Sequence, residues 1–168
     1  MAAGSTYTPI ATSTLGSSQA TVTFSSISGY TDLIIVTNPI ITGATALNLQ
    51  MYFNSDNAGT SYSFTRFTGN GSAASSDRVT NYPTCVLSAN VKVATTYAAQ
   101  FNINILNYSN TTTYKTALSR SNNASTGTEA IVNLWRSTAA ITSVTLQCDS
   151  GVSFASGSIF SIYGIAAA

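Results

Sequence analysis

The sequence predicts an all-β fold, an antiparallel β-sandwich of the jelly-roll type with about ten strands. The first observation is that apolar and polar residues alternate with the period of two that a half-buried strand requires. The second is that clusters of Asn, Ser and Gly interrupt the chain roughly every 8–12 residues, as turns between short strands do. The alternation is clearest where Ala99, Phe101, Ile103 and Ile105 interleave with Gln100, Asn102 and Asn104.

The other predicted elements follow from the same signals in chain order. A continuous apolar run at 32–37 predicts a strand that is covered on both faces. Residues 69–81 are rich in Gly, Ser, Ala and Asn, which predicts the longest loop and a place for binding or motion. We expect Phe101 and Trp135 to be buried. The predicted strands cover 20–24, 32–37, 46–53, 62–67, 86–93, 99–105, 113–120, 129–136, 141–148, 152–154 and 158–165.

The chain divides into an extended N-terminal arm at 1–18 and a jelly-roll sandwich at 19–168. The arm is polar and has too few apolar residues for an amphipathic helix, so we expect it to contact neighbouring subunits. Arginines are scarce in this chain, and each is therefore a candidate for pairing with an acid or with a carbonyl of a partner. The candidate interface residues are Tyr7, Pro9, Ile10, Leu15 and Arg78.

Charge is unusually sparse. Charged residues make up 7% of the 168 residues, whereas globular domains carry about 25%. The net charge of +1 gives no reason to expect a nucleic-acid partner or a membrane partner. A surface with few charges tends to associate, which favours a homo-oligomer. The sequence also predicts neither a signal peptide nor a membrane span, so we expect synthesis in a cytosol, with Cys85 and Cys148 as thiols rather than a bridge.

The residue types argue against an enzyme, a cofactor and a metal site. Histidine is absent, which removes the common nucleophilic triads and His-based zinc sites. The acids Asp32, Asp56, Asp77, Glu129 and Asp149 are far apart in sequence and show no pairing signal. The segment 54–59 is similar to an oxygen-rich calcium loop, but its single carboxylate favours a turn.

Tyrosines leave a binding role open. Exposed tyrosines can stack on sugars or on neighbouring subunits, whereas tyrosines at the edge of a sandwich core keep only the hydroxyl in water. The second interpretation is favoured for any single one of them. The tyrosines concerned are Tyr52, Tyr62, Tyr82, Tyr97 and Tyr108.

Several runs resemble virion structural proteins of tailed bacteriophages, including phages of cyanobacteria. The longest are residues 105–116 (ILNYSNTTTYKT) and 134–141 (LWRSTAAI). Shorter ones are 10–15 (IATSTL) and 162–165 (IYGI), together with FNSD at 53–56 leading into YSF at 62–64. The resemblance spans nearly the whole chain. It implies a non-enzymatic, often trimeric β-sandwich component of the particle, and it brings no catalytic residues.

Two roles within that group stay open. A compact domain without a fibre shaft suits a capsid decoration or cement protein that binds the shell of major capsid protein. The alternative is a short tail fibre or receptor-binding protein that recognises a host cell-surface glycan. Either role predicts a location at the surface of the virion after synthesis in the host cytoplasm.

Overall fold

The computed structural model describes residues 6–43, 47–96 and 99–166. Their secondary structure is almost entirely β, with one short 3-10 helix at Asp149–Gly151. In the described residues the strands are β1 (Tyr7–Thr14), β2 (Thr21–Ser25), β3 (Asp32–Asn38), β4 (Leu49–Phe53), β5 (Tyr62–Gly69), β6 (Ala74–Tyr82), β7 (Cys85–Val86), β8 (Gln100–Leu106), β9 (Lys115–Asn123), β10 (Gly127–Trp135), β11 (Ser143–Cys148) and β12 (Ile159–Ile165).

The strands form two antiparallel sheets that share one core. The large sheet has the order β1-β12-β3-β8-β9-β10-β5-β6, and the small sheet has the order β2-β11-β4-β7. Val22 and Leu146 of the small sheet pack in one hydrophobic cluster with Ile35 and Ile103 of the large sheet. The predicted antiparallel β-sandwich is therefore confirmed, with twelve strands in the described residues rather than about ten.

The predicted N-terminal arm is in part a strand of the sandwich. Strand β1 pairs with β12 along its length, from Tyr7 opposite Ile165 to Thr14 opposite Ile159. A hydrogen bond of 3.0 Å joins the hydroxyl groups of Thr12 and Ser161 across this pair of strands. Residues 7–14 therefore belong to the sandwich, and the predicted boundary at residue 18 is revised. The sequence pattern does not show this, because the segment is weakly apolar and its pairing partner lies at the far end of the chain. The first five residues of the predicted arm lie outside the described residues.

The long loop predicted at 69–81 is wrong, because most of it forms strand β6. This strand pairs with β5, and the carboxylate of Asp77 forms an ion pair with Arg66 across the pair. The turn before it is tight, since the side-chain oxygen of Asn70 accepts hydrogen bonds from the amides of Ser72 and Ala73. Every residue from Ala74 to Arg78 is exposed, so the strand lacks the alternation by which a buried strand is recognised.

The hairpin of β9 and β10 is longer and its turn shorter than the sequence predicts. The predicted loop at 121–128 shrinks to 124–126, between the strand ends at Asn123 and Gly127. Gly127 has φ of 134°, and a Cβ atom there would collide with the carbonyl oxygen of Gly69. Only glycine fits this close approach of two backbones.

Aromatic residues fill one end of the core. Phe101 is fully buried and Trp135 is 3% exposed, which confirms both predictions. Trp135 packs against Phe53, with ring centroids 5.4 Å apart, and its indole N–H donates to Asp56 at 2.7 Å. The carboxylate of Asp56 therefore accepts a hydrogen bond within a turn, as the turn interpretation of residues 54–59 predicts.

Polar side chains fill the other part of the interior. The inward face of β9 and β10 contacts the main chain of the segment 86–92, most of which is not in a strand. Asn133 donates to the carbonyl oxygen of Val86 and accepts from its amide, both at 2.9 Å. Ser119 donates to the carbonyl oxygen of Leu87, and Asn123 donates to that of Lys92. These side chains replace the partners that a neighbouring strand would otherwise supply.

Glu129 makes the largest set of these contacts. Its carboxylate is 3% exposed and accepts hydrogen bonds from the amides of Ala89, Asn90 and Val91 at 2.9–3.1 Å. The hydroxyl of Thr68 donates a fourth bond at 2.9 Å. Three consecutive main-chain amides thus stabilise a buried carboxylate by hydrogen bonds, without an ion pair.

We expect Glu129→Gln to lower the free energy of unfolding by about 3 kcal/mol, because the amide nitrogen of Gln faces N–H donors and leaves them unpaired. Urea unfolding measures this change. The matched control is Asp77→Asn, which breaks an exposed ion pair and costs less than about 1 kcal/mol. Equal losses in the two variants would contradict the structural role of Glu129.

Candidate functional site

The outer face of the large sheet is the side turned away from the core. On β9 the inward residues Lys115, Ala117 and Ser119 are buried and alternate with Leu118 and Arg120, which point outward. This separation of faces agrees with the period of two. The outer face carries two features, a cluster of exposed apolar side chains on β5, β8, β9 and β10 and a groove over β12, β3, β8 and β9.

The first feature is an exposed apolar patch, defined here as Phe67, Leu106, Leu118 and Val132. Leu118 lies directly opposite Val132, and Phe67 lies opposite Ala130 two residues away from Val132. These side chains are 38–55% exposed. An exposed cluster of large apolar side chains on a flat sheet is typical of a surface that contacts another protein.

The second feature is a shallow groove of about 490 Å³. Its middle is formed by Asn102 and Asn104 of β8, which lie opposite Val36 and Ile34 of β3. The groove shares its lining at Arg120 with a neighbouring depression of about 300 Å³. The amide groove, as we call it, is lined chiefly by Ile34, Val36, Asn102, Asn104, Arg120 and Tyr163.

Two residues that line the amide groove each have a buried polar atom without a partner. The side-chain oxygens of Asn102 and Asn104 are shielded from solvent and have no hydrogen-bond partner in the structure. Unpaired buried acceptors are uncommon in folded proteins, because each one loses its bonds to water. Arg120 is exposed, and across the described ranges the one ion pair is that of Arg66 with Asp77.

The predicted interface residues do not form one surface. Tyr7 and Pro9 are exposed on β1, whereas Arg78 is exposed on β6 at the opposite edge of the large sheet. Ile10 is half-buried against the core, and Leu15 is 8% exposed within it. The apolar patch was missed, although the alternation at 113–120 already separates Leu118 from Lys115. The sequence pattern does not show the strand pairing that places Val132 and Phe67 near Leu118.

The tyrosines named in the sequence lie mostly at the core. Tyr62 and Tyr108 are buried, and Tyr52 and Tyr82 are partly buried against the core cluster. The hydroxyl of Tyr62 donates to the carbonyl oxygen of Asp56 and accepts from the amide of Phe53. Tyr52 and Tyr82 thus agree with tyrosines at the edge of a core, whereas Tyr62 and Tyr108 lie inside it and do not keep the hydroxyl in water. Tyr97 lies outside the described residues.

The acidic side chains are spread over separate turns and strands. Asp32 accepts from the amide of Asn107, and Asp149 accepts from the amide of Asn48. Asp56, Asp77 and Glu129 have the partners described above. Within the described ranges, no three acidic or Cys side chains are grouped as a metal site would need. The same part of the chain has no helix long and apolar enough to cross a membrane.

Burial shifts the pKa values of several groups in the interior. Both cysteines are free and buried. Burial raises the pKa of Cys85 well above its usual range and that of Cys148 to about 12, with a smaller effect from the charge of Asp149. Burial also lowers the pKa of Lys115 and raises that of Tyr62. Lys115 donates to the carbonyl oxygens of Thr113 and Thr138, which hold its amine in place.

Comparisons with known proteins add no family. No protein-family model matches the chain, and a search of the curated proteins finds no match.

We expect the free energy of unfolding to fall as the pH rises above the usual thiol pKa. The unfolded chain releases the Cys148 proton there, whereas the folded chain keeps it up to about pH 12. The loss between about pH 8 and about pH 10 is about 1.5 kcal/mol for one thiol. Cys148→Ala removes this part of the slope in urea unfolding under reducing conditions. Parallel slopes for the parent and the variant would contradict the shift.

Proposed function

We propose that the chain is a non-enzymatic structural protein of a tailed bacteriophage particle, most specifically a decoration or cement protein that binds the shell of major capsid protein. The runs at 105–116 and 134–141 resemble virion structural proteins of tailed bacteriophages, which supports a role in the phage particle. The apolar patch carries the assembly role, because it exposes large side chains on a protein whose surface has few charges to keep copies apart.

The order of the strands supports the jelly-roll interpretation. Strands β1, β12, β3 and β8 are consecutive neighbours in the large sheet, and β2, β11, β4 and β7 form the small sheet. A jelly roll has two sheets and eight strands. On this interpretation β5–β6 and β9–β10 are two hairpins inserted between jelly-roll strands. Both hairpins extend the large sheet past β8, and the apolar patch lies mainly on them.

The patch also favours a homo-oligomer, which we propose to be a trimer. Identical subunits of near-zero net charge do not repel each other strongly, so apolar burial can decide their association. The parts of the large sheet outside the patch would then be free to contact the capsid shell. A protein in this role would lie at the surface of the virion.

The deciding experiment mixes the purified protein with capsids that lack it, followed by sedimentation and imaging. Stoichiometric binding at symmetric positions on the shell is the expected result. Attachment to the tail or to host cells instead would replace the decoration role with that of a short fibre or receptor-binding protein. Binding to neither would overturn both particle roles.

We expect Val132→Asp to convert the oligomer to monomers, because a carboxylate in the centre of the patch would be desolvated on association. Ile159→Asp is the matched control. Ile159 is 44% exposed and Val132 is 42% exposed, but Ile159 lies on β12, outside the patch. Light scattering after size-exclusion chromatography measures the mass, and circular dichroism checks the fold. An unchanged mass for Val132→Asp would show that copies do not associate through the patch.

A further inference from the structure

We propose that the amide groove is a binding site for an acidic oligosaccharide. The site lies on the outer face beside the apolar patch, and no residue of that patch lines it. It does not depend on whether the protein sits on the shell or on the tail.

Strand register fixes the groove as two rows of side chains across neighbouring strands. In one row Asn104 lies between Ile34 of β3 and Leu118 of β9. In the next row Asn102 lies between Val36 and Arg120. The two amides are therefore on the same face, two residues apart, on a central strand that cannot move without disturbing both neighbours. A ligand would meet a rigid, prearranged floor.

The amide groups indicate what kind of ligand fits. The oxygens of Asn102 and Asn104 are shielded from solvent, so a ligand cannot reach them, whereas both side chains are partly exposed. Their amide nitrogens are therefore the atoms that meet a ligand in the groove, and they donate hydrogen bonds to its oxygens. An apolar ligand would offer no acceptor to these donors, which argues against a lipid or a hydrophobic peptide.

The rest of the lining supports a saccharide. Ile34 and Val36 give an apolar strip beside the amides, and Tyr163 lies opposite Ile34 on β12. Sugars have both hydroxyl groups and apolar C–H faces, so a surface with amides, a tyrosine and aliphatic side chains matches both. The neighbouring depression at Gln100 and Arg120 lengthens the site beyond a single ring.

Arg120 specifies an acidic sugar rather than a neutral one. It lines both the groove and the depression, and no acidic residue lines either of them. A guanidinium with no acid beside it favours a carboxylate, which it can bind with two parallel hydrogen bonds. A nucleic acid is disfavoured, because one cation neutralises too few phosphates. The ligand class is thus an oligosaccharide containing uronic acid.

The test uses the full chain on an array of neutral and uronate-containing oligosaccharides, followed by titration calorimetry with the best binder. We expect uronate-containing members to bind. Asn102→Ala should weaken binding about tenfold by removing one hydrogen-bond donor from the groove. Arg120→Gln should weaken binding of the acidic ligand about tenfold and binding of a neutral analogue less than about twofold.

Matched controls separate the groove from general surface effects. Arg78→Gln removes the same charge from an exposed arginine at the far edge of the sheet, and Asn57→Ala shortens an exposed asparagine in a turn. Both should leave the affinity unchanged. Absence of binding across the array overturns the proposal, and so does binding that survives Asn102→Ala and Arg120→Gln. Because Val132→Asp addresses only the apolar patch, failure of the assembly proposal is measured separately.

Discussion

The contact between Glu129 and the amides of residues 89–91 is the constraint on which much of the sandwich depends. The segment 86–92 begins in β7 of the small sheet and has little strand pairing of its own, so most of its main-chain groups need partners from side chains. Glu129, Asn133, Ser119 and Asn123 supply them from two adjacent strands. The hairpin β9–β10 thereby fixes the segment that follows β7, and it also carries two of the four residues of the apolar patch.

This arrangement explains why the inward face of β9 is polar. A strand of this kind, with Lys115, Ser119, Ser121 and Asn123 inside, would be unstable if those groups faced hydrocarbon. Here Lys115, Ser119 and Asn123 donate to main-chain carbonyl oxygens, whereas the hydroxyl of Ser121 has no partner. Leu118 alternates with these inward residues of β9, and Val132 alternates with the buried residues of β10, so both lie on the outer surface. The polar interior and the exposed apolar patch are two results of one strand orientation.

Much of the fold could be predicted from the sequence, since strand β8 has the alternation that identifies it and β3 has its apolar run. That run is covered on one face only, because Ile34 and Val36 are partly exposed and line the groove. The sequence predicts an arm in place of strand β1, because the pairing partner of β1 lies at the far end of the chain. It predicts a loop in place of strand β6, because an exposed edge strand has no buried face to reveal it. For the site, the positions of Asn102 and Asn104 on a polar face were visible, but their neighbours Ile34, Val36 and Arg120 depend on register, which local patterns do not specify.

The two edges of the large sheet have a consequence for how copies can associate. Strand β1 carries Pro9 and an irregularity in register beside it. Strand β6 carries Asp77, which pairs with Arg66 of β5, and a second irregularity lies in the pairing of these two strands. Proline, charge and irregular pairing all discourage one sheet from continuing into the next. The two edges of the large sheet therefore disfavour an open-ended ribbon in which this sheet continues from copy to copy. A protein with so few charges thus places two of them where unlimited growth would begin.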